Sequence, residues 1–389
     1  MERRGGREAR RGRWQFSRRD KDMNVEKIFA SFGLRWSAGA LALCLLASTS
    51  MAAQTATFAV LQQPAFPTAK AARAVLLGLA RAGERLVAVG ERGIVLLSDD
   101  SGMTWRQARV PVSVSLTAVQ FVDAEQGWAV GHLGVVLHTE DGGETWHKQL
   151  DGERAAALAV QAAERDADQP GGASNLVQAR QMVDDGPDKP FLDLYFSDRL
   201  HGYIVGAYNQ IYRTDDGGRS WRPWMQHVNN PQGLNLYGIR ASGNDLLLVG
   251  ERGLLLRSTD AGHSFQPLKS PYEGSFFGLL GTRGGALIAY GLRGNAWWSE
   301  DRGSSWRRLD TGIESTLATA IELRDGSLLL ASQSGELLFS HDQGRSFDKR
   351  QSRSGGTVAA VQQAADGGLA SVGLSGVATD QDPRASGKP

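Results

Sequence analysis

The chain has 389 residues, including 48 glycines and 10 tryptophans, and its formal net charge is +1 at pH 7. The first 52 residues hold 11 basic and 5 acidic residues, so the rest of the chain carries a net charge of −5. This weakly acidic body argues against nucleic acid as a partner, because phosphate binding needs a basic surface.

Residues 1–52 have the composition of a basic extension followed by a secretory signal peptide. Basic residues flank an apolar run, Ala38–Ala47, and a small-x-small site ends at Ala52. We expect cleavage near Ala52 and export, with a periplasmic location; an uncleaved N-terminal membrane anchor is the alternative. Met23 offers a second start codon within this segment. The one cysteine, Cys44, lies in the apolar run, so the exported body has no disulfide or thiol chemistry.

Beyond the leader, the eight-residue pattern Ser/Thr-x-Asp-x-Gly-x-Ser/Thr-aromatic, an Asp box, occurs six times. Its closing aromatic residues are spaced 41, 75, 44, 41 and 41 residues apart: Trp105, Trp146, Trp221, Phe265, Trp306 and Phe347. Six matches with such regular spacing indicate a repeat architecture, whereas the length alone would suggest two or three separate domains.

The residue types of the box have a structural explanation. An aspartate can accept hydrogen bonds from the backbone of its own turn, the glycine can adopt a positive φ, and the aromatic residue can pack between strands. We therefore predict that the box aspartates are structural turn residues, with no catalytic or metal-binding role: Asp100, Asp141, Asp216, Asp260, Asp301 and Asp342.

The flanks of each box predict short strands. In the second repeat these are Leu116–Val122, Gly127–Val130, Val135–Thr139 and Trp146–Leu150. Four strands in about 40 residues make one blade of a β-propeller. The sequence therefore predicts an all-β fold of four-stranded antiparallel blades over residues 53–380.

A seventh unit follows the last box and ends near Asp380 without a box or a fourth strand. We expect Ala56–Leu61 to supply that strand, and so to close a seven-bladed ring without exposed sheet edges. Residues 381–389 are expected to form a disordered tail.

Residues 151–190 interrupt the repeats between the second and third blades. The segment is rich in alanine, glutamine and aspartate, and it predicts two short helices at Ala155–Arg165 and Leu176–Val183. It is either a tolerated surface insertion or a lid or docking element, because long ordered insertions are often functional.

A second repeated element, Gly-x-x-Gly, precedes the third strand. Three of these turns carry an arginine, and residues of two further blades occupy nearby positions: Arg92, Arg252, Arg293, His132 and Tyr208. In a four-stranded blade this turn and the Asp box lie on opposite faces, so the arginines should project from equivalent points of one rim. We predict that the rim binds an anionic group of a partner, such as a C-terminal carboxylate or an acidic segment. The alternative is that each arginine faces water or pairs with its neighbour, Glu91 or Glu251.

Two other function classes compete with this interpretation. Asp boxes also occur in sialidase-like glycoside hydrolases, which carry an Arg-Ile-Pro-type motif before the first box and have six blades. Here the nearest match, Arg109-Val110-Pro111, follows a box. A carbohydrate-binding propeller could stack a sugar on one residue of the Trp297-Trp298 pair, since strand neighbours point to opposite faces. The histidines are scattered and no phosphate loop is present, so we expect no metal and no cofactor.

The segment from Gly131 to Trp146 resembles the photosystem II stability/assembly factor family of Asp-box (BNR) propellers. It combines a Gly-x-x-Gly turn, a short apolar strand and Thr-x-Asp-Gly-Gly-x-Thr-Trp. The resemblance covers roughly residues 55–380 and departs from the family at the insertion and at two imperfect glycine turns, Gly206–Asn209 and Ser332–Gly335.

The resemblance implies a seven-bladed propeller outside the cytoplasm that binds membrane-protein subunits during assembly, with a basic patch contacting the client. We therefore expect a non-enzymatic exported scaffold or assembly factor, with a membrane-protein subunit or membrane-associated complex as its partner. A monomer is the favoured state. Relatives occur in bacteria that do not photosynthesise, so the resemblance does not imply a photosynthetic client.

Overall fold

The computed structural model describes residues 58–353 and 355–380. Within them, 27 strands form seven antiparallel sheets, six with four strands and one with three, and two α-helices interrupt the series. The predicted leader, its cleavage site near Ala52 and the predicted tail lie outside the described residues.

In every sheet the strands follow one another in chain order. The first sheet contains β1 (Leu76–Ala82), β2 (Arg85–Gly90), β3 (Val95–Ser98) and β4 (Arg106–Gln107). The second contains β5 (Leu116–Phe121), β6 (Gly127–Gly131), β7 (Val136–Thr139) and β8 (His147–Leu150). The third contains β9 (Phe191–Phe196), β10 (Gly202–Gly206), β11 (Ile211–Thr214) and β12 (Arg222–Pro223).

The remaining four sheets repeat this order. The fourth contains β13 (Leu236–Ser242), β14 (Asp245–Gly250), β15 (Leu255–Ser258) and β16 (Gln266–Pro267). The fifth contains β17 (Phe276–Gly281), β18 (Leu287–Gly291), β19 (Ala296–Ser299) and β20 (Arg307–Leu309). The sixth contains β21 (Leu317–Glu322), β22 (Leu328–Ser332), β23 (Glu336–Ser340) and β24 (Asp348–Gln351), and the seventh contains β25 (Ala360–Gln363), β26 (Leu369–Gly373) and β27 (Gly376–Asp380).

The core lies between neighbouring sheets. Val87 and Leu97 of the first sheet share one hydrophobic cluster with Ala129 and Leu137 of the second. The second strand of each sheet is covered by neighbouring sheets on both faces, so its residues are mostly apolar. In β22, for example, all five residues are buried. Each sheet therefore depends on its neighbours for burial, as expected for a repeat protein.

The predicted insertion forms two helices, α1 (Gly152–Arg165) and α2 (Gly172–Asp185). Each begins three or more residues before its predicted start. The Asp151 side chain caps α1 by accepting from the backbone N–H of Arg154 at 3.1 Å. Small alanine side chains form the contact between the helices, so the pair packs closely. In the described part of the chain, we find no helix with the length and hydrophobicity of a membrane span.

The N-terminal strand predicted at Ala56–Leu61 is wrong. Of this segment the structure describes residues 58–61, and Ala59–Leu61 form a 3₁₀ turn. The carbonyl of Val60 accepts from the N–H of Ser113 at 2.9 Å, so the segment bonds to the connection between the first two sheets. The seventh sheet accordingly has three strands within the described residues.

The last sheet nevertheless contacts the first. Val372 shares a hydrophobic cluster with Leu76 and Leu96, and the N–H of Asp366 donates to Oγ of Ser101 at 3.3 Å. The first and last sheets thus contact each other through side-chain packing and one hydrogen bond from backbone to side chain.

Candidate functional site

One face of the molecule combines the turns between second and third strands with the connections that lead to the next sheet. Successive strands of a sheet are antiparallel, so these two kinds of segment share a face, and the Asp boxes lie on the other. We call the first the turn face. It carries five matching 3₁₀ turns: Glu91–Gly93, His132–Gly134, Ala207–Asn209, Glu251–Gly253 and Leu292–Gly294.

The middle residue of all five turns has the same left-handed conformation. Its φ lies between 52° and 54°, and the residues concerned are Arg92, Leu133, Tyr208, Arg252 and Arg293. The three predicted arginines and Tyr208 are therefore equivalent by backbone geometry. In the second turn, the equivalent residue is Leu133, and His132 lies one position earlier.

Close backbone contacts fix these turns. The N–H of Glu91 donates to the carbonyl of Val75, just before β1, at 2.9 Å, and Glu251 donates to Asn235 at 3.0 Å in the fourth sheet. A Cβ on Gly90 would lie 2.1 Å from the Val75 oxygen, which explains the glycine at the start of the turn. The position of each of these turns is therefore fixed by the residue that precedes the first strand of its sheet.

The three arginine side chains are exposed. Within residues 58–353 and 355–380, none of the three guanidinium groups makes a hydrogen bond or an ion pair. The adjacent carboxylates bond to the backbone: Glu91 Oε1 accepts from the N–H of Val75 at 3.0 Å, and Glu251 Oε2 accepts from that of Asn235 at 3.3 Å. The glutamates thus stabilise the turns and leave the arginines available.

The other two predicted residues are also exposed. His132 lies at the surface, and the Tyr208 side chain has 69% of its area exposed. The Lys189 ammonium lies 5.9 Å from the centre of the Tyr208 ring, within reach of a cation–π contact. Burial lowers the pKa of Lys189, but its bonds to Asp188 and Asp185 outweigh burial, and the pKa is raised. The Lys189 charge beside Tyr208 is thus paired with two carboxylates.

An open cleft of about 400 Å³ adjoins Arg252. The residues that line it include Asn229, Gln232, Leu254 and Leu268. The cleft therefore presents amide groups and apolar surface next to the Arg252 guanidinium, which has no partner among the described residues.

The insertion packs onto the turn face. A Cβ on Gly134 would lie 2.7 Å from the Cα of Gly152, the first residue of α1. The Tyr212 hydroxyl donates to the carbonyl of Ala155 at 2.9 Å, and this tyrosine is fully buried. Consequently α1 is held against the second turn and the third sheet.

The Asp boxes on the opposite face form closed hydrogen-bond networks. Asp301 accepts from Ser299 Oγ at 2.8 Å, from the N–H of Ser305 at 2.8 Å and from Ser305 Oγ at 2.6 Å. The bonds from Ser305 and Ser299 lower the pKa of Asp301 to about 2. The same bonds recur in the other five boxes, so these carboxylates serve their own turns.

Of the tryptophan pair considered for sugar stacking, one residue is buried in the fold. Trp298 is buried and donates from Nε1 to Glu300 at 3.0 Å, and Trp297 is half-buried. Trp298 therefore has no open face for a sugar. Among the described residues, no group of three or more His, Cys, Asp or Glu side chains is placed to hold a metal ion.

The sequence analysis missed Leu133, Asn235, Tyr237 and Phe277. Aligning the glycine turns by position would have identified Leu133, because it occupies the same slot as Arg92. Asn235 accepts from the N–H of Tyr208 at 2.8 Å and donates to the Tyr237 hydroxyl at 3.3 Å, a link that no local pattern predicts.

Comparison with known proteins identifies the family. A family model described as Photosynthesis system II assembly factor YCF48 matches residues 75–166 and 173–356, well over half of the chain. Photosystem II assembly lipoprotein Ycf48 of Synechococcus sp. (strain CC9902) is 35% identical over 77 residues, 20% of this chain and 23% of that protein. Photosystem II stability/assembly factor HCF136, chloroplastic, of Oryza sativa subsp. japonica is 27% identical over 122 residues, 30% of this chain and 29% of that protein. The chain aligns with under a third of either relative.

Solved structures resemble the whole repeat series. "YCF48 bound to D1 peptide" gives a TM-score of 0.57 at 17% identity and covers 79% of this chain and 93% of that one. YCF48 from Cyanidioschyzon merolae gives 0.55 at 15% identity and covers 80% and 97%. The WD40 β-propeller domain of Doa1 gives 0.58 at 10% identity and covers 83% and 96%. At such identities the likeness shows the fold alone, which is a β-propeller.

Proposed function

The chain belongs to the photosynthesis system II assembly factor YCF48 family, and from this premise we propose that it is an exported, non-enzymatic assembly factor that binds a membrane-protein subunit through its turn face. The observation that carries the proposal is the set of three exposed arginines, Arg92, Arg252 and Arg293, at equivalent positions and without partners among the described residues.

The arginines suit an anionic group on the client, such as a C-terminal carboxylate or an acidic segment. A guanidinium can bind a carboxylate through two parallel hydrogen bonds, and no competing acid in the described residues occupies these three. His132, Tyr208 and the cleft beside Arg252 extend the proposed contact surface. A relative whose structure is described as bound to a D1 peptide supports a peptide ligand for this chain.

The experiment is crosslinking in cells, followed by mass spectrometry of the captured proteins. It compares the native protein with the triple variant Arg92→Ala, Arg252→Ala, Arg293→Ala. A matched triple, Arg219→Ala, Arg308→Ala, Arg345→Ala, removes the same charge from exposed positions outside the five turns.

We expect the native protein and the matched triple to capture one membrane-protein subunit, and the turn-face triple to lose it. If the turn-face triple captures the same subunit equally well, the arginine rim is not the binding site. If none of the three proteins captures a membrane-protein subunit, the assembly role itself is wrong.

The proposed location is outside the cytoplasm, in the periplasm, with cleavage near Ala52. The apolar run Ala38–Ala47 supports it. Fractionation of cells, with N-terminal sequencing of the mature protein, tests the proposal. A mature protein that begins at Met1 or Met23 would favour the membrane anchor.

We further propose that the seven sheets close into a ring by side-chain packing between the first and last sheets. Trp105 packs against Leu86, Ala364 and Ala370, which supports this closure. The substitution Trp105→Ala should therefore speed amide hydrogen exchange in β25 and β26, far away in the chain. Faster exchange confined to the first sheet would contradict a closed ring.

A further inference from the structure

The first strands of six sheets share a bulge at their second residue, where the register with the second strand shifts. The bulge lies at the turn face, because the preceding residue pairs with the first position of the turn, as Leu236 does with Gly250. In three consecutive sheets the bulge residue is large and apolar: Leu192, Tyr237 and Phe277. All three side chains are half-buried. We call these three residues the apolar ledge.

Two of the three ledge residues contact each other across neighbouring sheets. The rings of Tyr237 and Phe277 lie 5.4 Å apart between centroids with an angle of 59° between their planes. This contact joins the fourth and fifth sheets. Exposed apolar area that is held in place by neighbours is available for burial by a ligand at little conformational cost.

Hydrogen bonds connect the ledge to the rim. Asn235 Nδ2 donates to the Tyr237 hydroxyl at 3.3 Å, and its Oδ1 accepts from the N–H of Tyr208 at 2.8 Å. The backbone of Asn235 also exchanges bonds with Glu251, beside Arg252. One residue thus fixes the positions of a ledge side chain, Tyr208 and the Arg252 turn.

We propose that the apolar ledge binds an apolar side chain of the client segment, immediately next to the anionic group that Arg252 binds. This inference rests on the proposed function and adds a sequence preference to it. The occupant is an extended peptide whose apolar residue adjoins a carboxylate. Charge complementarity selects the anionic end through Arg252, and burial of the ledge selects the apolar neighbour.

The experiment uses the mature full-length protein and four fluorescein-labelled octapeptides of one polar sequence. The peptides differ in two features. The C-terminal group is a free carboxylate or an amide, and the residue that carries this group is leucine or serine. Fluorescence anisotropy gives the Kd of each peptide for the native protein and for Phe277→Ser, Leu192→Ser and Arg252→Ala. The control Met103→Ser removes an apolar side chain that is 81% exposed in a box on the opposite face.

We expect the native protein and Met103→Ser to prefer the leucine carboxylate peptide. Phe277→Ser and Leu192→Ser should each raise the Kd of this peptide about 10-fold, a change typical of one lost apolar contact. The Kd of the serine peptides should stay unchanged. Arg252→Ala should raise the Kd of both carboxylate peptides, so that carboxylate and amide peptides bind with equal affinity.

Three results would overturn the inference. The first is that the native protein shows no saturable binding of the leucine carboxylate peptide. The second is that it binds the leucine and serine peptides with equal Kd. The third is that the ledge variants raise the Kd of the leucine and serine peptides by the same factor. A leucine preference that persists without any carboxylate preference would contradict the arginine site but retain the ledge, so the two failures are distinct. Thermal melting of each variant identifies any that misfolds, and the two ledge substitutions serve as independent tests.

Discussion

The backbone N–H of Tyr208 donates to Oδ1 of Asn235 at 2.8 Å and joins the turn of the third sheet to the residue that enters the fourth. The bond crosses a boundary between two sheets, so it couples the position of one rim residue to the neighbouring repeat. The Asn235 side chain also reaches the Tyr237 hydroxyl. The rim and the ledge therefore form one connected surface in this part of the molecule.

Replacing Asn235 should weaken this boundary. Asn235→Ala removes the acceptor for Tyr208 and the donor to Tyr237, and a lost buried or half-buried bond costs about 1–2 kcal/mol. We expect a lower midpoint in guanidinium unfolding and faster hydrogen exchange at the Tyr208 amide. Asn229→Ala is the control, since Asn229 Nδ2 makes one 3.3 Å bond to Gln266. Equal midpoints for both variants would contradict this role.

Gly90 is required by close approach of the backbone. A Cβ there would lie 2.1 Å from the Val75 oxygen and 2.7 Å from the Leu76 Cα, so Gly90→Ala should destabilise the protein by more than about 2 kcal/mol. Gly284→Ala is the matched control, because its nearest neighbour lies at 3.9 Å. Thermal melting measures both, and similar melting temperatures would show that the turn can move away.

The Asp boxes should make stability depend on acidity. The pKa of Asp301 is about 2 in the fold, below the value of about 3.9 in an unfolded chain. Its contribution is therefore complete above about pH 4 and is lost as the pH falls through about 2. Asp301→Asn should cost about 1 kcal/mol at pH 7, because the NH2 group that replaces Oδ2 cannot accept from Ser305 Oγ, and exposure limits the effect.

The difference in melting temperature between the native protein and Asp301→Asn should accordingly shrink as the pH is lowered from 6 to 3. Asp310→Asn, an exposed acid for which no bond is observed among the described residues, is the control. A difference that stays constant over this pH range would mean that the Asp301 charge contributes nothing.

Client binding should weaken with salt if the arginines provide the attraction. Exposed charges are screened over about 10 Å at 0.1 M ionic strength and about 3 Å at 1 M. We expect the native Kd to rise severalfold between these concentrations, while the Arg92, Arg252 and Arg293 triple variant binds weakly at both. Surface plasmon resonance with the captured subunit measures this. Equal salt dependence of the two proteins would place the charge effect elsewhere.

The insertion should be anchored through Tyr212. Tyr212→Phe removes the side-chain hydrogen bond to the Ala155 carbonyl, at a cost of about 1 kcal/mol. Hydrogen exchange in α1 should become faster, with smaller changes elsewhere. Tyr195→Phe, at a half-buried tyrosine of β9, is the control. Unchanged exchange in α1 would show that the helix contact alone holds the insertion.

Much of the fold could be predicted because its signals are local. The Asp box closes its own turn within eight residues, so Asp301, Ser305 and Gly303 carry their roles in the sequence. The strands and the two helices of the insertion were likewise predicted from periodicity and composition. Of the two imperfect glycine turns, Ser332–Gly335 lacks the 3₁₀ turn of the others, whereas Gly206–Asn209 folds like the regular ones.

The error at Ala56–Leu61 had a physical cause. A short apolar segment without neighbours can satisfy its backbone either at a sheet edge or across a loop, and periodicity does not distinguish the two. Here the Val60 carbonyl accepts from the N–H of Ser113. Further along, the chain forms a 3₁₀ turn at Ala71–Arg73, where Ala71 packs in one hydrophobic cluster with Val372 of the seventh sheet.

The sequence by itself determined the repeat, the position of each arginine in its turn and the structural character of the box aspartates, because each depends on contacts within a few residues. Only the tertiary structure decided that Glu91 and Glu251 bond to the backbone and leave the arginines unpaired in the described part of the chain. It also brought Tyr237 and Phe277 together, 40 residues apart in sequence, through the packing of adjacent sheets. Such contacts depend on the register and spacing of whole sheets, which no local pattern specifies.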